Sequence, residues 1–109
     1  MGLFAKPAGA ISAREARERM SRGGGFVLLD VRTPQEYRQV RIKGAKLIPV
    51  DELARRAAAE LPDKNIPILV YCQSGMRAGT AVKQLLRMGY TDVVSFGGIA
   101  DWPYDVVRG

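Results

Sequence analysis

Short apolar runs alternate along the whole chain with segments whose apolar residues recur at helical spacing. Runs that are almost entirely apolar indicate strands buried on both faces, and helices between them supply the crossovers that parallel pairing requires. The pattern therefore predicts a single α/β layered domain with a parallel sheet. The predicted strands are Ala10–Ile11, Phe26–Asp30, Lys46–Ile48, Ile68–Tyr71 as the central strand, and Val93–Phe96.

Polar residues at the starts of the helical segments act as helix caps. Ser12 followed by Glu15 predicts a capping box, and Thr33–Glu36, with proline at the first helical position, predicts a second one. The second box opens a short helix over residues 34–39, on which Tyr37 is expected to face the core. Asp51 is expected to cap the next helix.

Composition narrows the class of protein. The chain has 109 residues, of which 47% are hydrophobic, and this suits one compact domain over residues 10–109 after a short tail, residues 1–9. No stretch is apolar enough for a signal peptide or a membrane span, so we expect a soluble protein without a membrane partner. A single cysteine cannot form an internal disulfide, which favours a reducing compartment, the cytoplasm by default.

Net charge and the absence of histidine limit the possible chemistry further. Seventeen Lys and Arg against eleven Asp and Glu give a net charge of +6. The basic residues are scattered, without a basic block or interleaved aromatics, so the charge is expected to draw small anions and not nucleic acid. Because the chain has no histidine, Cys–His and Ser–His catalysis and most zinc sites are excluded, and no metal or cofactor is expected.

Cys72 is the candidate nucleophile. It stands where the predicted central strand gives way to a short loop before a helix. A strand end holds the Cα rigidly, the loop can direct backbone N–H groups at the sulfur, and the helix N-terminus adds positive potential, so a thiolate is favoured there. The alternative interpretation, a buried small hydrophobe, stays open on this context alone.

The loop after Cys72 contains the other candidate site residues. Gly75 allows a backbone turn without a Cβ penalty, and Arg77 either holds the loop in shape or attracts an anionic donor. Ser74 either donates to the sulfur or, as the commoner role, caps the following helix. Gln73 and Met76 either line the pocket mouth or are ordinary exposed loop residues.

Several short motifs follow one another along nearly the whole chain. They are Ile11-Ser12, Leu28–Arg32 with Glu36-Tyr37, Gly44-Ala45 before Ile48-Pro49, the Cys72 loop, and Phe96–Ile99 before Trp102. Their order resembles a single-domain rhodanese, a thiosulfate sulfurtransferase-type protein. The resemblance implies a three-layer α/β fold with a central five-stranded parallel sheet flanked by helices, and an active cysteine at the start of a loop that curls around its own sulfur.

The same resemblance assigns supporting roles. It implies that Asp30 fixes neighbouring backbone and that Arg32 pairs with an acid such as Glu36, and we expect both roles to be structural. Trp102 is expected to pack and not to stack on substrate. The family usually has Gly-His-Ile-Pro where this chain has residues 40–43, Val-Arg-Ile-Lys, and the two positive charges could alter the loop shape or extend an anion-attracting rim.

The loop length favours sulfur chemistry. Four residues separate Cys72 from Arg77, whereas phosphatases with a similar cradle place five there, and a tighter ring of N–H groups suits a terminal sulfur better than a tetrahedral phosphate. The predicted activity is a ping-pong sulfurtransferase that works through a persulfide on Cys72. A non-enzymatic partner-binding or regulatory module, and a phosphatase or arsenate reductase, remain as alternatives.

The expected partners follow from this chemistry. They are a small anionic sulfur donor such as thiosulfate and a thiol or protein acceptor, which could be a thioredoxin-like protein, glutathione or a biosynthetic enzyme. The chain is expected to be a monomer.

Overall fold

The structure is a computed structural model that describes residues 9–109. The predicted tail, residues 1–9, lies outside the described residues apart from Gly9. In chain order the elements are α1 (Ala13–Arg22), β1 (Val27–Asp30), α2 (Pro34–Gln39), β2 (Val40–Arg41), β3 (Lys46–Leu47), a 3₁₀ turn (Val50–Glu52), α3 (Leu53–Glu60), β4 (Ile68–Cys72), α4 (Met76–Arg87), β5 (Val93–Gly98), a second 3₁₀ turn (Ile99–Asp101) and β6 (Val107–Arg108).

The main sheet is parallel throughout, in the order β3-β1-β4-β5. Ala10 adds a one-residue parallel bridge to Ser95 in β5. The five-stranded sheet that the resemblance implies is therefore four strands and this bridge, with β4 in the middle. A separate antiparallel ladder of two residues a side joins β2 to β6, and no sequence pattern predicted it.

Strand β4 divides its side chains between the two hydrophobic layers. Ile68, Val70 and Cys72 pack on one face together with residues of α3 and α4, while Leu69 and Tyr71 pack on the other face with Ala16 of α1. All five residues of the strand are buried, and full burial of a large apolar side chain contributes about 1.5–3 kcal/mol. The α/β layers predicted from the sequence are confirmed, and the alternation places Cys72 on the face that α4 covers.

The helix starts agree with the predicted caps in part. In α2 both halves of the Thr33 capping box form, with proline in the first turn. In α1 the Ser12 Oγ accepts from the Glu15 N–H at 3.0 Å, but the Glu15 carboxylate accepts from Arg19 Nη2 at 2.8 Å instead of completing the box. Tyr37 packs against the core as predicted, and its hydroxyl donates to the Ala45 carbonyl at 2.7 Å.

The prediction that Asp51 caps α3 is wrong. Asp51 lies inside the first 3₁₀ turn, and α3 starts at Leu53 after Glu52, with no side chain capping it. The turn already satisfies one donor that an Asp51 cap would bind, since the Leu53 N–H donates to the Val50 carbonyl. Among residues 9–109, no helix has both the length and the apolar character that a membrane crossing needs.

Candidate active site

The carboxyl ends of three neighbouring strands meet at one edge of the sheet. Asp30 ends β1, Cys72 ends β4 and Gly98 ends β5. Cys72 and Gly98 are direct register partners across the two strands. In parallel sheets this edge is where ligands collect, so these three residues mark the candidate site.

Cys72 is enclosed by the loop that follows it. The residue is 1% exposed, and its Sγ accepts a hydrogen bond from the Gly75 N–H at 2.9 Å. Gly75 has a φ of 113°, a conformation that side chains disfavour, so the prediction that a glycine permits this turn is confirmed. The loop therefore curls back on its own sulfur, and at least one backbone donor points at it.

The helix after the loop starts without a side-chain cap. Gly75 is the N-cap of α4, and no side chain accepts from the first turn. The prediction that Ser74 caps this helix is therefore wrong, because the helix begins one residue later than a Ser74 cap requires. Ser74 is exposed, and a role in donating to the sulfur stays a prediction. The uncapped N–H groups leave the positive end of α4 close to Cys72.

Arg77 forms a bidentate ion pair with Glu36 of α2. Its Nη1 and Nη2 donate to Glu36 Oε1 at 2.8 Å and Oε2 at 3.0 Å. These hydrogen bonds lower the pKa of the Glu36 carboxyl to about 2. They also raise the pKa of Arg77, to which the nearby Cys72 adds a smaller electrostatic contribution. The pair joins the first turn of α4 to α2, so its geometry is that of a clamp on the loop, while attraction of the donor by Arg77 stays a prediction.

The expected pairing of Arg32 with Glu36 is wrong. Arg32 Nη2 donates to Asp30 Oδ2 at 2.7 Å, and the two side chains are 1% and 0% exposed. Asp30 Oδ1 also accepts the Arg32 backbone N–H at 2.9 Å, which confirms that the aspartate fixes neighbouring backbone. Glu36 is unavailable to Arg32 because its carboxylate is engaged by Arg77 and by the Thr33 N–H.

Arg32 also reaches the loop and the second ladder from its buried position. Its Nη2 donates to the Val40 carbonyl at 2.6 Å, and its Nη1 lies 3.4 Å from Gln73 Oε1. Three segments of the chain therefore meet at one guanidinium. The Asp30–Arg32 ion pair is therefore a buried junction between β1, β2 and the Cys72 loop.

Gln73 and Met76 both lie at cavities beside the loop. Gln73 lines a cavity of about 360 Å³ that Trp102 also borders, and Met76 lines a groove of about 460 Å³ that includes Gly75 and Gly97. Met76 is 83% exposed, which is unusual for a large apolar side chain. Their contact with a substrate stays a prediction.

Comparison with known proteins agrees with this arrangement. Residues 12–104 match the rhodanese-like domain. The chain belongs to the rhodanese-like family. It is 42% identical over 81 residues to the thiosulfate sulfurtransferase PspE of Escherichia coli K12, over 74% of this chain and 78% of PspE. A solved structure of a rhodanese with anions from E. coli is 41% identical and superposes with a TM-score of 0.71, over 76% of this chain and 98% of that one.

A rhodanese-like segment of this kind also occurs within larger proteins. The chain is 36% identical over 94 residues to the probable adenylyltransferase/sulfurtransferase MoeZ of Mycobacterium tuberculosis, which covers 84% of this chain but 24% of MoeZ. Both relatives are named as sulfurtransferases, so this chain stands among rhodanese-like sulfurtransferase homologues.

The unusual segment of this rhodanese-like chain, residues 40–43, keeps an ordered backbone. The Ile42 N–H donates to the Tyr71 hydroxyl at 3.1 Å. The Arg41 guanidinium lies 5.0 Å from the centre of the Tyr37 ring and donates to the Tyr37 carbonyl at 3.2 Å. Lys43 is exposed. Of the two added charges, Arg41 therefore lies against the Tyr37 ring. That the two charges extend an anion-attracting rim stays a prediction.

Two features of the rhodanese-like site were missed from the sequence. One is Glu36 as the partner of Arg77, because the resemblance implied that Glu36 pairs with Arg32. The other is the close approach of Gly98 to the loop, for which a glycine pair at a strand end was the available signal. Trp102 packs against Phe96 at 5.2 Å and Tyr104 at 4.9 Å between ring centres, as predicted.

Proposed function

We propose that this protein moves sulfane sulfur from a donor such as thiosulfate to a thiophilic acceptor through a persulfide on Cys72. The observation that carries the proposal is the Gly75 N–H directed at Cys72 Sγ at 2.9 Å. A preorganised donor of this kind stabilises negative charge on sulfur, and the positive end of α4 adds to it. Burial of Cys72 lowers the local dielectric and strengthens both interactions.

The reaction consists of two displacements at sulfur. The Cys72 thiolate attacks the outer sulfur of thiosulfate, the new S–S bond forms, and sulfite leaves with the electron pair of the broken S–S bond. An acceptor thiolate then attacks the outer sulfur of the persulfide and takes it, and the Cys72 thiolate is regenerated. No net redox change occurs on the protein, so the cycle needs no cofactor.

These 109 residues hold no second thiol to accept the sulfur, because Cys72 is their sole cysteine, and the acceptor we propose is another molecule. A thioredoxin-like protein, glutathione or a biosynthetic enzyme would each provide a suitable thiol or nucleophile. The net charge of +6 favours the approach of a small anionic donor and of acidic partners. We expect the protein to act as a monomer in the cytoplasm.

The decisive experiment is a mass measurement of the persulfide. The intact protein is incubated with thiosulfate, 3-mercaptopyruvate or a small-molecule persulfide, and one added sulfur atom on Cys72 is expected with at least one donor. Cys72→Ser serves as the control, with its fold checked by circular dichroism, and it should gain no sulfur. Absence of an adduct with every donor would overturn the proposal and favour a non-enzymatic binding module.

An aryl phosphate assay separates the proposed activity from the phosphatase alternative. With four residues between Cys72 and Arg77, the loop is expected to turn over no aryl phosphate. Turnover that is lost in Cys72→Ser would instead assign the loop to phosphate chemistry.

A further inference from the structure

Gly98 packs directly against the backbone of the Cys72 loop. A Cβ built on Gly98 would lie 2.5 Å from the Gln73 carbonyl carbon, 2.7 Å from the Ser74 Cα, and closer still to the Gln73 oxygen. Real Cβ atoms essentially never approach other atoms within 3.0 Å. All three neighbours are backbone atoms, which cannot rotate away as a side chain can. Any side chain at position 98 would therefore displace the loop.

The backbone conformation of Gly98 does not itself require glycine. Its φ of −130° and ψ of 153° are ordinary extended values that any residue adopts. Gly75 differs in this respect, because its positive φ accounts for its glycine. The close approach to Gln73 and Ser74 is therefore the physical reason for a glycine at position 98.

A second contact fixes the same peptide from the same side. The Ala100 N–H, in the 3₁₀ turn after β5, donates to the Gln73 carbonyl at 3.2 Å. The start of the loop is thus held by a steric contact at Gly98 and a hydrogen bond from Ala100. Two residues further along, the Gly75 N–H meets Cys72 Sγ.

We propose that Gly98 is a positioning residue for Cys72. By letting the end of β5 pack against the backbone of Gln73 and Ser74, it fixes the loop in the conformation that aims the Gly75 N–H at the sulfur. It acts through the loop and does not touch the reacting atoms. The inference rests on the proposed function only in taking Cys72 as the reacting thiol.

The test uses alkylation of Cys72 by iodoacetamide, which needs no sulfur donor. Gly98→Ala is expected to slow alkylation at neutral pH about ten-fold and to move the pH midpoint of the reaction upward, since one hydrogen bond to a charged sulfur is lost. Gly79→Ala is the matched control. Gly79 lies in α4, and a Cβ there meets no atom within 4 Å apart from the neighbouring helix backbone. The alkylation rate of Gly79→Ala should therefore stay within about two-fold of that of the parent chain, and its pH midpoint should not move.

A second variant tests the same contact without an added Cβ at position 98. Ala100→Pro deletes the N–H that the Gln73 carbonyl accepts, and a smaller slowing of alkylation in the same direction is expected. Thermal unfolding followed by circular dichroism reports whether each variant is folded. Failure of Gly98→Ala to fold, or a folded Gly98→Ala with the alkylation profile of the parent chain, would overturn the positioning role.

This outcome is separable from that of the persulfide experiment. Slow alkylation in Gly98→Ala together with no persulfide in the parent chain would support the positioning of Cys72 and reject sulfur transfer. A persulfide on the parent chain with unchanged alkylation in Gly98→Ala would support sulfur transfer and reject the positioning role of Gly98.

Discussion

Two arginine–carboxylate pairs flank the Cys72 loop in opposite surroundings. In the Asp30–Arg32 pair, Nη2 and Oδ2 are 2.7 Å apart, and the side chains are 0% and 1% exposed. In the Glu36–Arg77 pair, Nη1 and Oε1 are 2.8 Å apart, but the side chains are 28% and 35% exposed. The same two functional groups at nearly the same distance therefore differ chiefly in their access to water.

Because of this difference, the Asp30–Arg32 pair is expected to stabilise the fold, whereas the Glu36–Arg77 pair mainly holds the Cys72 loop. Removing one partner of a buried pair leaves an uncompensated charge and costs about 3–5 kcal/mol, whereas an exposed pair contributes about 0–1 kcal/mol. Asp30 and Arg32 hold β1, the Val40 carbonyl and the Cys72 loop together. Glu36 and Arg77 can therefore affect Cys72 while contributing little to the stability of the whole domain.

The largest effect is expected from Asp30→Asn. The change keeps the size of the side chain but leaves the Arg32 guanidinium buried without its counter-charge. We expect the free energy of unfolding at neutral pH to fall by about 3–5 kcal/mol. Urea denaturation followed by circular dichroism measures it.

Glu36→Gln is the matched control for this change, because it replaces a carboxylate by an amide in the half-buried pair. A loss in Asp30→Asn that is no larger than the loss in Glu36→Gln would remove the distinction between the two pairs.

The next largest effect concerns reactivity and comes from Arg77. Arg77→Met removes a cation close to Cys72 and releases the first turn of α4 from α2. We expect the rate of Cys72 alkylation at neutral pH to fall about ten-fold, equivalent to about 1.4 kcal/mol. Stopped-flow or quenched alkylation assays measure this rate.

Arg77→Lys separates the clamp from the charge alone. Lysine keeps the positive charge but cannot donate the two parallel hydrogen bonds that a guanidinium makes to a carboxylate. If the clamp matters, Lys should behave like Met in the alkylation assay. Recovery of the parent rate by Lys would show that the charge is sufficient.

Sequence reasoning succeeded where the structure depends on neighbours along the chain. The Thr33 capping box and the turn at Gly75 are set by side chains or conformations within a few residues, and both formed as predicted. The β2–β6 ladder was missed, because two-residue strands carry no periodicity and their partners are far apart in sequence. Asp51 does not cap α3 because the Leu53 N–H, which such a cap would bind, already donates to the Val50 carbonyl in the 3₁₀ turn.

In the candidate site, too, the contacts that were missed join residues far apart in the sequence. Cys72 and its loop could be located from sequence, but Glu36 meets Arg77 across 41 positions, and the family resemblance had implied Arg32 as its partner instead. The contact of Gly98 with Gln73 depends on a register shift between β4 and β5 that places Cys72 opposite Gly98. A shift of one residue in pairing leaves no pattern in the sequence.

A small effect on stability is expected from Glu36→Gln. Glutamine can still accept from the Thr33 N–H, so the cap on α2 is kept while the ion pair is lost. We expect a loss of less than about 1 kcal/mol in the free energy of unfolding at neutral pH. A double-mutant cycle with Arg77→Met, measured by urea denaturation, should give a coupling energy of similar size. A coupling near 3 kcal/mol would mean that the pair behaves as a buried one.

The smallest effect is the dependence of that loss on pH. Its hydrogen bonds to Arg77 hold the pKa of the Glu36 carboxyl well below its usual 4.5. On acidification the unfolded chain therefore binds the proton first, so the stability from this group is present above about pH 4.5 and is lost as the pH falls toward about 2. Because the two side chains are 28% and 35% exposed, screening by water keeps the linked stability within about 1 kcal/mol. The difference in unfolding free energy between the parent chain and Glu36→Gln should shrink over this range, whereas the difference between Arg77→Met and the double variant Arg77→Met/Glu36→Gln should not. If the difference stays constant from neutral pH to about pH 2.5, Glu36 does not owe its contribution to the charge that Arg77 stabilises.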